Sequence, residues 1–288
     1  MNQPDIALLK EQKNEITSHL IYAKLAAKAN AGNNADILKR MSADELRHYN
    51  ELKRITGRDV RPSKSKIIFF YLISRLFGLT FGLKLLEKAE DDAVDIYGAI
   101  LEKYPQLHAF VEDEQTHEQL LIDMIDEEKL NYMGSVVLGL NDALVELTGA
   151  LAGFTFAFQN TRLIAMTGLI TGISASFSMA ASEYLSTRQE KGDRAKAIKS
   201  AIYTGITYVL TVAVLILPYL LFENPFVCLG VSLFLAVVVI FVFNYYISVV
   251  KDTPFRRRFL EMAAISLGVS GISFLLGILV KSIFGIEV

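Results

Sequence analysis

Two adjoining apolar stretches, residues 134–160 and 163–186, limit what this chain can be. Each exceeds the roughly 20 residues that cross a bilayer core as a helix. Only the polar link Gln159-Asn160-Thr161-Arg162 separates them. Both carry carboxylates: Asp142 and Glu146 on the first, Glu183 on the second. A charged side chain in hydrocarbon is costly, so such residues ordinarily line an internal site or path. Asp142 and Glu146 are four residues apart, as are Met179 and Glu183, so each pair shares one helix face. The plainer alternative places Asp142 and Glu183 at the water interface, where they only cap or solvate helix ends. Three acids and a thioether on two neighbouring spans favour the path. Gly139, Gly149, Gly153, Gly168 and Gly172 allow close helix approach on these spans.

The Leu140-Asn141-Asp142 run and the Ser178-Met179-Ala180-Ala181-Ser182-Glu183-Tyr184 run resemble the vacuolar iron transporter family, the nodulin-like group of ferrous iron and manganese carriers. The resemblance implies five membrane helices, a homodimer, and movement of Fe²⁺ or Mn²⁺ against protons. It also implies that Asp142, Met179 and Glu183 lie on the metal path, and we expect the glycine-rich faces of the first two spans near the dimer axis. Two positions depart from the family pattern. Ala143 follows the aspartate and Ser182 precedes the glutamate, where the family has glycine. Both are small enough to keep the packing close.

Hydrophobic residues make up 52% of the chain, but unevenly: 22 of its 31 acidic residues and all four histidines precede residue 134. The pattern predicts two domains, residues 1–130 and 131–288. A net charge of −2 without a basic block argues against nucleic acid as a partner. The single cysteine, Cys228, excludes an internal disulfide or a cysteine-based cluster within one chain. Charge from Lys10 onward argues against a secretory signal. Three further spans are expected at 198–221, 226–250 and 259–283. Between the second and third lies a link of about a dozen residues with Arg188, Lys191, Arg194, Lys196 and Lys199 in and around it. Lys251, Arg256, Arg257 and Arg258 lie between the fourth and fifth. The positive-inside rule then puts the N-terminal domain in the cytoplasm and the C-terminus outside. Asn244, Tyr245 and Glu261 read as interface or packing residues.

Before the spans, the periodicity predicts helices over 4–31, 34–56, 65–103 and 106–130, which suits a ferritin-like four-helix bundle. The second contains Glu45-Leu46-Arg47-His48 and the fourth Glu114-Gln115-Thr116-His117. Each Glu-x-x-His puts carboxylate and imidazole one turn apart on one face. A di-iron carboxylate bundle uses two such motifs plus one glutamate from each remaining helix. Glu15 and Glu90 fill those places, because each precedes a tyrosine by seven residues (Tyr22 and Tyr97); Glu11 and Glu87 are the alternatives one turn earlier. This half resembles the rubrerythrin and ferritin-like superfamily over residues 5–130, without the four-cysteine iron centre that classical rubrerythrins append. His19 and His108 have no partner motif and read as surface or supporting residues. The run Ile67 to Leu86 reads equally as a buried crossover of the bundle or as a helix on the membrane surface.

The fold class expected is therefore all-α, a ferritin-like bundle followed by a five-helix transmembrane domain. Carboxylate oxygens with the Met179 sulfur suit Fe²⁺ or Mn²⁺ better than Mg²⁺, and Asp142 and Glu146 can take up protons when metal leaves. Four carboxylates and two histidines in the bundle suit a di-iron site, with manganese as the substitute. The leading functional reading is a proton-coupled exporter of divalent iron or manganese whose bundle captures, oxidises or senses the metal. The second is a membrane-anchored di-iron oxidase, whether ferroxidase or peroxide-scavenging, whose helices are only an anchor. The third is an iron-sensing scaffold.

Overall fold

The structure, a computed structural model, describes residues 3–28, 33–90, 104–123 and 132–284. The chain divides into two compact units, Met1–Glu127 and Glu128–Val288.

The first unit contains α1 (Gln3–Ala26), α2 (Asn33–Thr56), α3 (Lys64–Phe77), α4 (Leu79–Glu90), a 3₁₀ turn at Pro105–Leu107, and α5 (His108–Asp123). Helices α1 and α2 pack along one another. Their apolar positions are grouped in two layers rather than one. Ile21, Tyr22 and Leu25 of α1 meet Leu38 and Met41 of α2, with Phe70, Leu83 and Leu86 closing that core. Leu8 and Leu52 form the other with Leu107 and Phe110. The buried polar residues Glu11, Glu15, Glu45 and His48 fall between these layers in sequence, and His117 is buried on α5. The loop after α2 is tied down by Gln12, which donates to the Arg58 carbonyl at 2.8 Å, and by Thr17, which accepts from the Ser63 amide at 3.0 Å.

The expected helix over 65–103 is two helices within the described residues. Gly78 breaks it, with φ 101° and ψ 155°, a conformation essentially confined to glycine. Gly82 lets α4 fold back on α3, since a Cβ there would stand 1.9 Å from Ser74 Oγ. The run Ile67 to Leu86 is thus split between a helix with one exposed face, α3, and a largely buried one, α4. Tyr97 lies outside the described residues, as does the side chain of Glu90.

The second unit is five helices: α6 (Met133–Phe158), α7 (Thr161–Lys191), α8 (Arg194–Leu221), α9 (Pro225–Lys251) and α10 (Phe255–Phe284). All five are long and apolar enough to cross a membrane. Leu144, Leu147 and Leu151 of α6 pack with Tyr208, Val212 and Leu215 of α8 in the core. Large apolar side chains also cover the outside: Phe177, Leu210, Phe234 and Leu275 are each more than 60% exposed. A surface of that kind belongs in lipid.

The links are shorter than the sequence reading proposed. The connection between α7 and α8 is Gly192-Asp193, not a dozen residues. The polar turn Arg188–Lys191 stays helical, so α7 runs on past the apolar stretch; its 31 residues make a rod of roughly 46 Å. Gly192 then turns the chain with φ 66°, and the Asp193 carboxylate caps α8 by accepting from the Ala195 and Lys196 amides. Gln159 and Asn160 repeat the device between α6 and α7, with a left-handed residue followed by a cap.

The span glycines are used inside the chain, which corrects the expectation that they line a dimer axis. A Cβ on Gly139 would stand 2.4 Å from the Thr204 carbonyl oxygen, so α6 and α8 cross there almost backbone to backbone. Thr204 Oγ1 donates to the Ser135 carbonyl at the same crossing. Gly172 abuts Val212, Gly168 abuts Leu151 and Ile216, and Gly149 and Gly153 face Ser273 on α10.

Candidate metal sites

In the first unit, Glu15, Glu45, His48 and Glu114 each offer a ligand atom within 4.8 Å of the others. Glu15 comes from α1, Glu45 and His48 from one face of α2, and Glu114 from α5. His117, one turn beyond Glu114, completes the set. His48 Nδ1 lies 3.4 Å from Glu15 and 3.7 Å from Glu114; His117 Nδ1 lies 3.5 Å from Glu45 and 3.7 Å from the other oxygen of Glu114. Glu114 therefore stands between the two imidazoles, whose ring centres are 6.4 Å apart.

The far side of each ring shows how it is oriented. His48 Nε2 bonds Asp113 at 3.0 Å, and His117 Nε2 faces Asp44 at 3.3 Å. A neutral ring whose proton is held at Nε2 by an aspartate would turn its Nδ1 lone pair toward the carboxylates. Both Nδ1 atoms are buried and make no hydrogen bond. A lone pair aimed at carboxylate oxygens is repulsive unless a cation or a proton lies between them. The donor set thus fits a divalent metal ion. Phe110 stacks on His48 at 4.0 Å and excludes water from that ring.

Protons carry part of this load. Burial, and then the adjacent Glu15 carboxylate, push Glu45 well above the usual carboxylate range. Burial pulls His117 down, but the Glu114 and Glu45 carboxylates outweigh it and raise the imidazole to about 11. Burial acts upward on Asp113, and the His48 hydrogen bond and Arg47 charge overcome it, leaving that carboxyl below its ordinary range.

Sequence reasoning missed Asp44, Asp113 and Arg47. The motif is Asp-Glu-x-x-His in both copies, so the aspartates were visible as a shared residue. Arg47 joins them, 3.0 Å from Asp44 and 2.7 Å from Asp113. Of the alternatives, Glu11 is buried and faces the Asn14 amide at 3.4–3.5 Å, while Glu87 is half-buried on α4. His19 bonds the Ser42 carbonyl at 2.7 Å, a structural role, and His108 is exposed at the start of α5.

In the second unit the polar span residues are separate rather than clustered. Among the described residues, Asp142, Glu146 and Glu183 do not converge as the first unit's ligands do. Glu183 is half-buried and accepts from Ser135 Oγ at 2.6 Å, at the beginning of α6. Along α6 from Ser135, Asp142 lies about 10 Å and Glu146 about 16 Å further on. Asp142 is half-buried; Glu146 is exposed on the isolated chain and accepts from the buried Tyr208 hydroxyl at 2.8 Å. Met179 packs against the core beside α6. The carboxylates thus sit at successive positions along α6 and α7, and Glu183 and Glu146 each have a hydroxyl donor that sequence spacing did not reveal.

The family model of the VIT family matches residues 133–195 and 188–278, half of the chain. The chain belongs to the VIT family. No curated protein matches it. The match covers the second unit, so this part of the chain is the membrane region of a metal-ion transporter family. Asp142, Glu146, Met179 and Glu183 all fall inside the first matched segment. With five apolar helices and lipid-facing outer surfaces, the VIT family member is an integral membrane protein.

Proposed function

We propose that the chain exports Fe²⁺ or Mn²⁺ from the cytoplasm in exchange for protons. The carrying observation is the series of carboxylates stepped along α6 and α7, with Met179 one turn from Glu183. A cation passing such a series exchanges water for carboxylate oxygen and thioether sulfur, a mixture that suits Fe²⁺ and Mn²⁺ over Mg²⁺. Each carboxylate left behind in hydrocarbon takes a proton, which couples the two fluxes. The basic residues at the α7–α8 and α9–α10 links support a cytoplasmic first unit and an outside C-terminus. A homodimer is supported by the outer face of α7, where Thr171, Ser174, Ser178, Ser182 and Ser186 are exposed. A column of hydroxyls, like the exposed Glu146, is better matched by a second copy than by lipid.

The first unit is then a ferritin-like di-metal domain that captures the cargo. Glu15, His48 and Glu114 would hold one ion and Glu45, His117 and Glu114 the second; Glu90 is the remaining candidate from α4. Bound iron there would supply oxidation of Fe²⁺, with oxygen or peroxide as the electron acceptor. The residues' own work is to orient the imidazoles through Asp44 and Asp113, to exclude water at Phe110, and to release protons as metal enters.

Proteoliposomes loaded with a metal-sensitive dye, with and without a pH gradient, test the proposal. Asp142→Asn and Glu183→Gln are expected to stop Fe²⁺ and Mn²⁺ movement while leaving folding intact. Met179→Leu keeps the volume and slows transport. An anchor-only oxidase predicts that all three changes are silent, and full transport in the double variant Asp142→Asn/Glu183→Gln would place the path elsewhere.

A further inference from the structure

We infer that α3 is a membrane-surface helix that seats its outer face in an anionic lipid bilayer. One face of α3 belongs to the first unit's core: Phe70 and Ser74 are buried, and Ile67 and Tyr71 pack on the cluster around Met41. The opposite face is as apolar as the inner one. Ile68, Phe69 and Leu72 are 51–54% exposed and Leu76 is 73% exposed. At 3.6 residues per turn these four form a single stripe, with Leu72 near its centre. Lys64 and Arg75 run along one border of the stripe and Lys66 along the other, all three exposed. That layout lets apolar side chains enter the acyl boundary while long cationic ones reach the headgroups. Lys66 also lies 3.4 Å from Asn14, an exposed contact, and forms no ion pair with an acid among the described residues.

Charge selects the occupant. From Val60 to Leu86 the chain has five basic residues and no acidic one. Four of them, Arg61, Lys64, Lys66 and Arg75, are exposed, while Lys84 is buried; unit one is otherwise rich in acids, so the exposed four make a local cationic surface on it. A bilayer is an obligatory neighbour, because the same chain spans one, and the tether raises its effective concentration at α3. Lipid anions complement the basic borders. A second copy would bring the same cationic borders together, an arrangement that repels. The inference does not depend on which metal the spans carry or on whether they carry one.

The chain has no tryptophan, so Leu72→Trp in the full-length protein places one reporter in the stripe. The variant, and Leu76→Trp as a second, is reconstituted in vesicles of phosphatidylcholine and phosphatidylglycerol with plain or brominated acyl chains. Blue-shifted emission that brominated lipid quenches is expected, and the quenching should fall when Lys64, Lys66 and Arg75 are replaced by glutamate. Unquenched emission overturns the proposal in either form: red-shifted emission puts the stripe in water, and blue-shifted emission that varies with protein density puts it against a second copy. Quenching unchanged by charge reversal overturns the anionic-lipid assignment.

Discussion

Asp113 on α5 bonds His48 on α2, while the aspartate that precedes His48's own motif, Asp44, serves His117 on α5. Each Asp-Glu-x-x-His motif therefore supplies one glutamate and one histidine to the cluster and the support for the other's imidazole. Arg47 holds the exchanged carboxylates together from the outside.

The exchange has a measurable consequence. Asp113→Asn is expected to weaken metal binding by about 10–100-fold, the usual effect of removing a carboxylate behind a metal-binding histidine. Asp44→Asn should act similarly through His117, with Glu114→Ala as the reference for a lost ligand. Metal titration of the purified full-length protein reads both effects. Unchanged affinity in Asp113→Asn and Asp44→Asn would reduce the network to a surface ion cluster.

Metal entry should release protons. His117, raised to about 11, holds a proton at neutral pH while metal is absent, and burial with the Glu15 carboxylate beside it raises Glu45 above the usual carboxylate range. Ligands must be deprotonated, so apparent affinity should fall as pH falls. The sign for stability of the metal-free fold is opposite to the usual acid case. A raised imidazole contributes its stabilisation fully below its unfolded value of about 6.5 and loses it as pH rises toward the folded value. An indicator dye in weakly buffered solution should report protons on adding Mn²⁺; no release would contradict the charged state of the site.

Close packing at the α6–α8 crossing can be tested by one methyl group. Gly139→Ala drives a Cβ toward the Thr204 carbonyl and should destabilise the membrane unit by about 1–3 kcal/mol. Gly134→Ala meets nothing within 4 Å on the same helix, so it should be neutral or slightly stabilising. Denaturation in mild detergent distinguishes them, and equal behaviour would mean that the crossing yields at little cost.

Much of this was legible because its signals are local. Five apolar runs interrupted by polar residues marked the spans, and two Glu-x-x-His repeats marked the faces of α2 and α5 that the fold brings together. The failures came where a local pattern continues past a physical boundary. Arg188–Lys191 are too polar for hydrocarbon yet remain helical, so the α7–α8 link was drawn far too long. Phe77-Gly78-Leu79 interrupts an apolar run with a single residue, and only its backbone angles reveal that the helix ends there. The glycines of α6 and α7 were legible as contact points but not as contacts within one chain, since a small residue does not name its neighbour. Tyr208 and Ser135 escaped notice for the same reason: a donor to Glu146 or Glu183 arrives from elsewhere in the fold.

The two-residue links set a mechanical condition on transport. Gln159 and Asn160 weld α6 to α7, and Gly192 and Asp193 weld α7 to α8, with the caps at both corners satisfied. The backbone crossing at Gly139 and Thr204 fastens α6 to α8 directly. Asp142, Glu146, Met179 and Glu183 thus ride on one stiff three-helix piece with no slack at its corners. On the path proposed above, access first from one side and then from the other would come from parts that move against this piece.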